Sequence, residues 1–367
     1  MNKSGKILTV AGILFLAGLI IAALGIGIIY NKVKDNHSTE SDYQEYVYES
    51  VESGEDITYL GLNFVSENVK VKIGDSDKVV IRYIDRKDNP EIVISEEKGV
   101  LTVGIEEKVA HVDSFIYVPD LEKEVENRVN NIGWGERKVS IELPKDMSPE
   151  MFIETVSGDI SMEDINVSKS FYLNTSSGEV SLCNCVIPTC TGFSTISGNV
   201  DMNNVTFDDN LTVVCSSGDV NLQSVSVDGN LSIQTISGDI NLNDVENKGT
   251  LFVDSSSGEG TYGNVNSQGD ANFVSISGNV NINVMEAEGF KVDTSSGEIY
   301  ADKLLLTGGA YISSISGDAV LNFEMNKEDC SLKTSTNSGD VLSPDFAGGN
   351  QLIEIITSSG NINASFK

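Results

Sequence analysis

Five carboxylates recur at one position of an internal repeat. Glu179, Asp219, Glu259, Glu298 and Asp340 each stand directly after a Ser-Gly pair. Carboxylates lined up one rung apart offer the oxygen ligands that a hard divalent cation takes, so the chemistry open to this column is weak calcium binding, with backbone carbonyls or water completing the shell. The plainer reading is that the side chains fan into water and salt screens them. The intervening repeats carry Asp159, Asn199, Asp239, Asn279, Asp318 and Asn361 at the same position. There charged and neutral residues alternate, which keeps like charges from facing each other on adjacent rungs.

No other cofactor and no catalytic residue emerge. The two histidines, His37 and His111, lie far upstream of the repeats, and residues 149–367 carry 29 acids, 7 Lys and no Arg. A His-based triad is therefore excluded there. The basic residue with which a polysaccharide lyase abstracts a proton is poorly supplied. Paired acids could serve a glycosidase, but acids that recur at one repeat offset mark turn chemistry rather than a unique site. Cys183, Cys185 and Cys190 cluster without zinc-like spacing. A Cys183–Cys190 disulfide is open to them. Cys185 shares its repeat offset with Val205, Val225, Val245 and Val265, and so reads as core; Cys215 shares its offset with Thr175, Thr195 and Thr235.

The elements that position these residues are short strands. Eleven Ser-Gly pairs begin at Ser157, Ser177, Ser197, Ser217, Ser237, Ser257, Ser277, Ser296, Ser316, Ser338 and Ser359. A fixed step in this range is the mark of a solenoid, in which each unit stacks on the next. Within Leu231–Val245, Leu231, Ile233 and Thr235 alternate, Ser237-Gly238 turns the chain, and Ile240 and Leu242 alternate again. Each unit thus offers two strands with one apolar face apiece. The residue before Ser-Gly also alternates. It is Val156, Ile196, Ile236, Ile276 and Ile315 in one set, and Ser176, Ser216, Ser256, Ser295 and Asn337 in the other, with Ser358 of the eleventh unit breaking the rule. Stacked rungs should give a column one environment, so the expectation is two units per coil, a right-handed β-helix; a coil of one 20-residue unit is the alternative.

Upstream, Ile7–Tyr30 is a run of 24 residues without a charge, preceded by Lys3 and Lys6. At 1.5 Å per residue it spans roughly 36 Å, enough to cross a bilayer. The expected organisation is a cytoplasmic tail (1–6), an uncleaved transmembrane signal anchor (7–30), an acidic stalk (31–54), a β-rich N-terminal cap region (55–148) and the β-solenoid repeats (149–367). Within the cap region the charged insertion 119–137 holds the sole tryptophan, Trp134, which reads as a cover for an open core edge.

The T-x-SGD-I and T-S-SGE-V units, the preceding Ile141–Asp146 (IELPKD) and the N-terminal anchor resemble the adhesin-like β-strand-repeat proteins of bacteria, a domain family of unknown function. The resemblance covers about residues 55–367. It implies a β-solenoid ectodomain on the cell envelope, with some members among envelope-stress genes, and carries over no catalytic residue. The net charge of −31 excludes nucleic acid as a partner. The expected function is a non-enzymatic, membrane-anchored surface scaffold that contacts a protein or polysaccharide. An accessory sensor of envelope stress acting through a membrane partner is the alternative, and a polysaccharide-acting enzyme follows behind.

Overall fold

The computed structural model describes residues 43–88, 90–105 and 137–367. The tail, the anchor, most of the stalk, His111 and Trp134 lie outside them. Among the described residues every regular element is a strand, and no helix is long and apolar enough to cross a membrane. The chain forms two compact units, 1–181 and 182–367.

The N-terminal unit contains β1 (Tyr43–Glu49), β2 (Tyr59–Asn63), β3 (Asn68–Ile73), β4 (Val80–Arg86), β5 (Ile92–Glu97), β6 (Val100–Ile105), β7 (Lys138–Leu143), β8 (Glu150–Thr155), β9 (Ile160–Glu163) and β10 (Ser170–Thr175). One sheet runs β1-β4-β7-β3-β9 and the other β5-β6-β2-β8-β10. The pairs β2/β6, β2/β8, β3/β7, β3/β9 and β8/β10 are parallel, so β2–β3 and β6–β7 are solenoid rungs. The span read as a cap therefore carries coils of its own, and capping falls to the antiparallel strands β1, β4 and β5. Strand β1 also lies inside the segment read as stalk, so the folded body starts by Tyr43. Its hold is aromatic, which a search for aliphatic periodicity misses. Tyr46 stacks on Tyr83 with ring centroids 5.3 Å apart. The Tyr48 hydroxyl donates to the Glu96 carboxylate at 2.5 Å, and burial together with that carboxylate pushes the phenol up to about 12. Beneath the cap, Arg137, only 8 % exposed, bridges Glu67 and Glu91 at 3.4 and 2.9 Å.

Strand β11 (Val180–Cys183) spans the division between units. The C-terminal unit continues with β12 (Val186–Ile187), β13 (Thr189–Thr195), β14 (Val200–Phe207), β15 (Leu211–Cys215), β16 (Val220–Val227), β17 (Leu231–Ser237), β18 (Ile240–Asn247), β19 (Leu251–Ser257), β20 (Gly260–Ser267), β21 (Ala271–Ser277), β22 (Val280–Ala287), β23 (Phe290–Ser296), β24 (Ile299–Leu306), β25 (Ala310–Ser316), β26 (Ala319–Phe323), β27 (Cys330–Ser338), β28 (Gln351–Ser359) and β29 (Ile362–Phe366). The first sheet runs β14-β16-β18-β20-β22-β24-β26-β29, the second β13-β15-β17-β19-β21-β23-β25-β28-β27.

The expectation of two units per coil is corrected: one 20-residue unit makes one coil. Leu211 faces Leu231, which faces Leu251, and Ser237 faces Ser257, which faces Ser277. Consecutive Ser-Gly turns stack directly. The physical reason is backbone pairing: each strand takes its hydrogen bonds from the strand one unit before and one unit after. This also explains the glycine. A Cβ on Gly238 would sit 2.1 Å from the carbonyl oxygen of Gly218, so close approach of successive turns forbids a side chain there.

The unit's C-terminal end is folded out of sequence order. Strand β28 lies between β25 and β27, parallel to both, so the last coil in sequence is the penultimate one in space. The chain between β27 and β28 returns over the end. Leu332 and Phe346 exchange backbone hydrogen bonds of 2.9 and 3.2 Å, the Phe346 ring meets Phe366 edge-on at 5.2 Å, and the buried Ser343 hydroxyl both accepts from the Ala364 amide and donates to its carbonyl, each at 2.7 Å. This closes a sheet end that would otherwise present unpaired edges.

Candidate functional site

The Ser-Gly edge is built from the inside outward. The buried Thr195 Oγ1 accepts the Gly198 amide at 3.0 Å, holding the turn. Cys215 does the same for Gly218 through its sulfur at 3.1 Å, a thiol in a threonine's place. In the N-terminal unit Thr155 and Thr175 hold Gly158 and Gly178 at 3.2 and 3.1 Å. Outside the turn, the Asp or Asn after each Ser-Gly reaches along the stack. Asn199 Oδ1 accepts the Asp219 amide at 3.0 Å, Asp219 Oδ1 that of Asp239 at 2.8 Å, and Asp239 Oδ1 that of Glu259 at 2.8 Å. Farther on, Asn279 accepts from Glu298 at 3.0 Å, Asp318 from Asn361 at 2.7 Å and Asn361 from Asp340 at 2.9 Å. The acid column is thus a hydrogen-bonded ladder between coils. It suits short side chains, and Asp and Asn supply its acceptors. The turn's local sequence hints at such a bond; its inter-coil direction becomes visible once the units are stacked.

Asp219, Glu259, Glu298 and Asp340 do share this one column, and Glu179 holds the equivalent place in the N-terminal unit. Their spacing differs from the expected single rung. Asp239 lies between Asp219 and Glu259, Asn279 between Glu259 and Glu298, and two coils, those of Asp318 and Asn361, between Glu298 and Asp340. Two coils are about 9.6 Å, twice the separation that the single-rung reading assumed. Among the described residues no three His, Cys, Asp or Glu side chains gather in a metal-holding group. The column's structural role gives an expected result. Asp239→Asn keeps the Oδ1 acceptor and leaves the melting curve unchanged. Asp239→Ala removes the acceptor and costs about 0.5–1 kcal/mol, measurable by urea unfolding.

All five cysteines are free. Cys183 and Cys190 form no disulfide, and Cys185 is buried in the core as its repeat offset suggested. Burial pushes the Cys190 thiol up to about 11, which disfavours the reactive thiolate.

A second feature lies on the outer face of the second sheet. A cleft of about 340 Å³ is lined by residues including Asp270, Asn272, Lys291, Tyr311, Leu352 and Glu354. Tyr311 and Leu352 are 38 % and 42 % exposed. The Lys291 ammonium lies 6.0 Å from the Tyr311 ring centroid and 2.7 Å from an Asp293 carboxylate oxygen. Gly309 lets the walls approach: a Cβ there would lie 2.6 Å from the Leu352 carbonyl. An aromatic ring, an amine, an amide and two carboxylates around a shallow opening suit a polar ligand held at a surface. Sequence reasoning missed this cleft. Its signal is present: Asn272, Lys291 and Tyr311 are outward positions at one repeat offset, in the column that begins Thr212, Ser232 and Phe252.

The family model Toastrack DUF4097 matches residues 57–262 and 261–365. No curated protein matches the sequence. Among solved structures, a proposed lipid-binding protein from Parabacteroides distasonis is 16% identical, with 88% of this chain and 96% of that one covered and a TM-score of 0.29. A proposed cell-adhesion protein from Clostridium sporogenes is 12% identical over 89% and 100% of the two chains, TM-score 0.20. A proposed adhesin from Bacteroides fragilis is 12% identical over 90% and 100%, TM-score 0.22. Scores this low carry no argument about architecture or function.

Proposed function

The chain belongs to the Toastrack DUF4097 family, and from that footing we propose that it is a non-enzymatic, adhesin-like scaffold that presents a contact surface outside the cell membrane, held there by residues 7–30. One observation carries this reading. The exposed polar groups repeat coil after coil along the Ser-Gly edge, whereas catalysis needs unlike groups converging on one reacting atom. The hydrogen-bonded ladder suits a stiff support, and the cleft at Tyr311 is open in the manner of a contact surface. The acidity of the repeats keeps such a scaffold soluble and off anionic lipid headgroups. The test is protease treatment of intact cells. Fragments of residues 43–367 should be released, a membrane-bound remnant beginning at or near Met1 should remain, and the shaved cells should lose attachment to surfaces that untreated cells hold. A full-length chain surviving the treatment, or attachment unchanged by shaving, overturns the proposal.

A further inference from the structure

The coil itself does not require the alternation along the Ser-Gly edge. Interior columns stack similar residues on consecutive coils without alternating: Val205, Val225, Val245 and Val265 in one, Leu211, Leu231 and Leu251 in another. The column beside the Ser-Gly turns instead reads Ile196, Ser216, Ile236, Ser256, Ile276, Ser295, Ile315 by register, buried at Ser216 and opening to water toward Ile315. Ile276 and Ile315 are 49 % and 60 % exposed. The alternation ends at the strand exchange, where Ser358 is followed in space by Asn337 and not by an isoleucine. Because β28 lies next to β25, Ser358 follows Ile315, and Asn361 follows Asp318. An alternation held over seven coils, which leaves Ile276 and Ile315 in water two coils apart, is what a partner with the same period would impose.

That period is two coils, about 9.6 Å. A polyproline II chain repeats every three residues, about 9.3 Å. An extended β-strand repeats a face about every 6.8 Å and an α-helix turns in about 5.4 Å, and neither stays in step over several coils. Charge selects further. The edge carries Asp219, Asp239, Glu259, Glu298 and Asp318, and the Ser-Gly turns from Ile196 to Asp318 hold no Lys or Arg. A second copy of the same edge would be repelled, and a basic chain attracted. We propose that the edge from Ile196 to Asp318 is a docking rail for a basic, proline-rich chain in the polyproline II conformation. Its apolar ridge packs on the isoleucines, and Lys or Arg at every third residue faces the acids. Ile196 to Ile315 spans six coils, about 29 Å, so nine or ten ligand residues fill the rail.

This names a partner class for the scaffold proposed above, but it does not depend on membrane anchoring, so binding to the purified full chain can fail or succeed independently of the shaving result. The probe is a fluorescent twelve-residue peptide of four Pro-Pro-Lys repeats, compared by anisotropy with a peptide of the same composition whose four lysines are contiguous. The periodic peptide should bind about tenfold more tightly, a difference of about 1.4 kcal/mol. Ile276→Ser with Ile315→Ser should remove that advantage. Ser256→Ile with Ser295→Ile, which adds apolar surface but erases the two-coil period, should remove it as well. Both variants change outward positions and should melt as the parent does. Equal affinity for the two peptides, an advantage that survives both variants, or tighter binding of a β-1,4-linked glucosamine hexamer than of the periodic peptide overturns the proposal, the last because the period would then belong to a glycan.

Discussion

A chain that ends at Asn350 is expected to lose the folded C-terminal coils, although only 17 residues are missing. Those residues form β28 and β29, and β28 fills the gap between β25 and β27. Without it, β25 and β26 present open parallel edges, β27 has no partner, and the closing segment around Phe346 has no Phe366 or Ala364 to meet. Ile353, Ile355 and Ile362 are each 0 % exposed, and burying such a side chain contributes about 1.5–3 kcal/mol. The loss should therefore exceed about 5 kcal/mol, before the lost ladders are counted. Hydrogen exchange should show residues 299–338 becoming unprotected, and the truncated chain should aggregate through its bare edges. Protection of residues 310–323 at the parental level would show that β26 and β25 need no closing coil.

Ile233→Asp should be nearly as damaging, and Gln234→Asp nearly silent. Ile233 is 0 % exposed in a layer with Leu231 and Leu242; the adjacent Gln234 points outward and is half-buried. An aspartate at 233 would have to be buried as an unpaired charge or be protonated, costing about 3–5 kcal/mol. At 234 the carboxylate reaches water, although Asp254 faces it one coil on and adds a small repulsion. The check is a pair of urea titrations. The 233 variant should recover part of its stability at acidic pH, where the carboxyl is neutral. Equal midpoints for the two variants at neutral pH would mean that the strand is turned over.

The in-out pattern of each strand was legible because its cause is local: Leu231, Ile233, Thr235, Ile240 and Leu242 all point inward as period two dictates. The number of units per coil was not, because one column was expected to hold one environment, whereas the half-buried positions of Ile236 and Ser256 accept unlike side chains on adjacent coils. The glycines were legible as turns but not in their reason, the carbonyl of the neighbouring coil. Gly260 shows another limit. It breaks a column of Ile240 and Val280 because Tyr262, fully buried, needs the space: a Cβ at 260 would meet the Tyr262 hydroxyl at 2.4 Å. Such compensation between positions is invisible to a one-dimensional pattern. The strand exchange at the end left only the 22- and 21-residue steps as traces. For the site, the shared acidic column was readable, but its ladder and the cleft at Tyr311 arise between coils and so needed the stack.

The inter-coil ladder also bears on how such a chain can change length. Consecutive coils pair through the same backbone register, and an Asp or Asn at the ladder position adds the same acceptor, so a whole coil is an interchangeable part, and reach can be adjusted by gene duplication in increments of about 4.8 Å. The surface rhythm makes that freedom even-numbered. Excising residues 217–256 would join two compatible coils and leave the order of isoleucine and serine intact, whereas excising 217–236 would set two serine coils, those of Ser216 and Ser256, side by side. Lineages that lengthen or shorten this protein should therefore do so in pairs of coils.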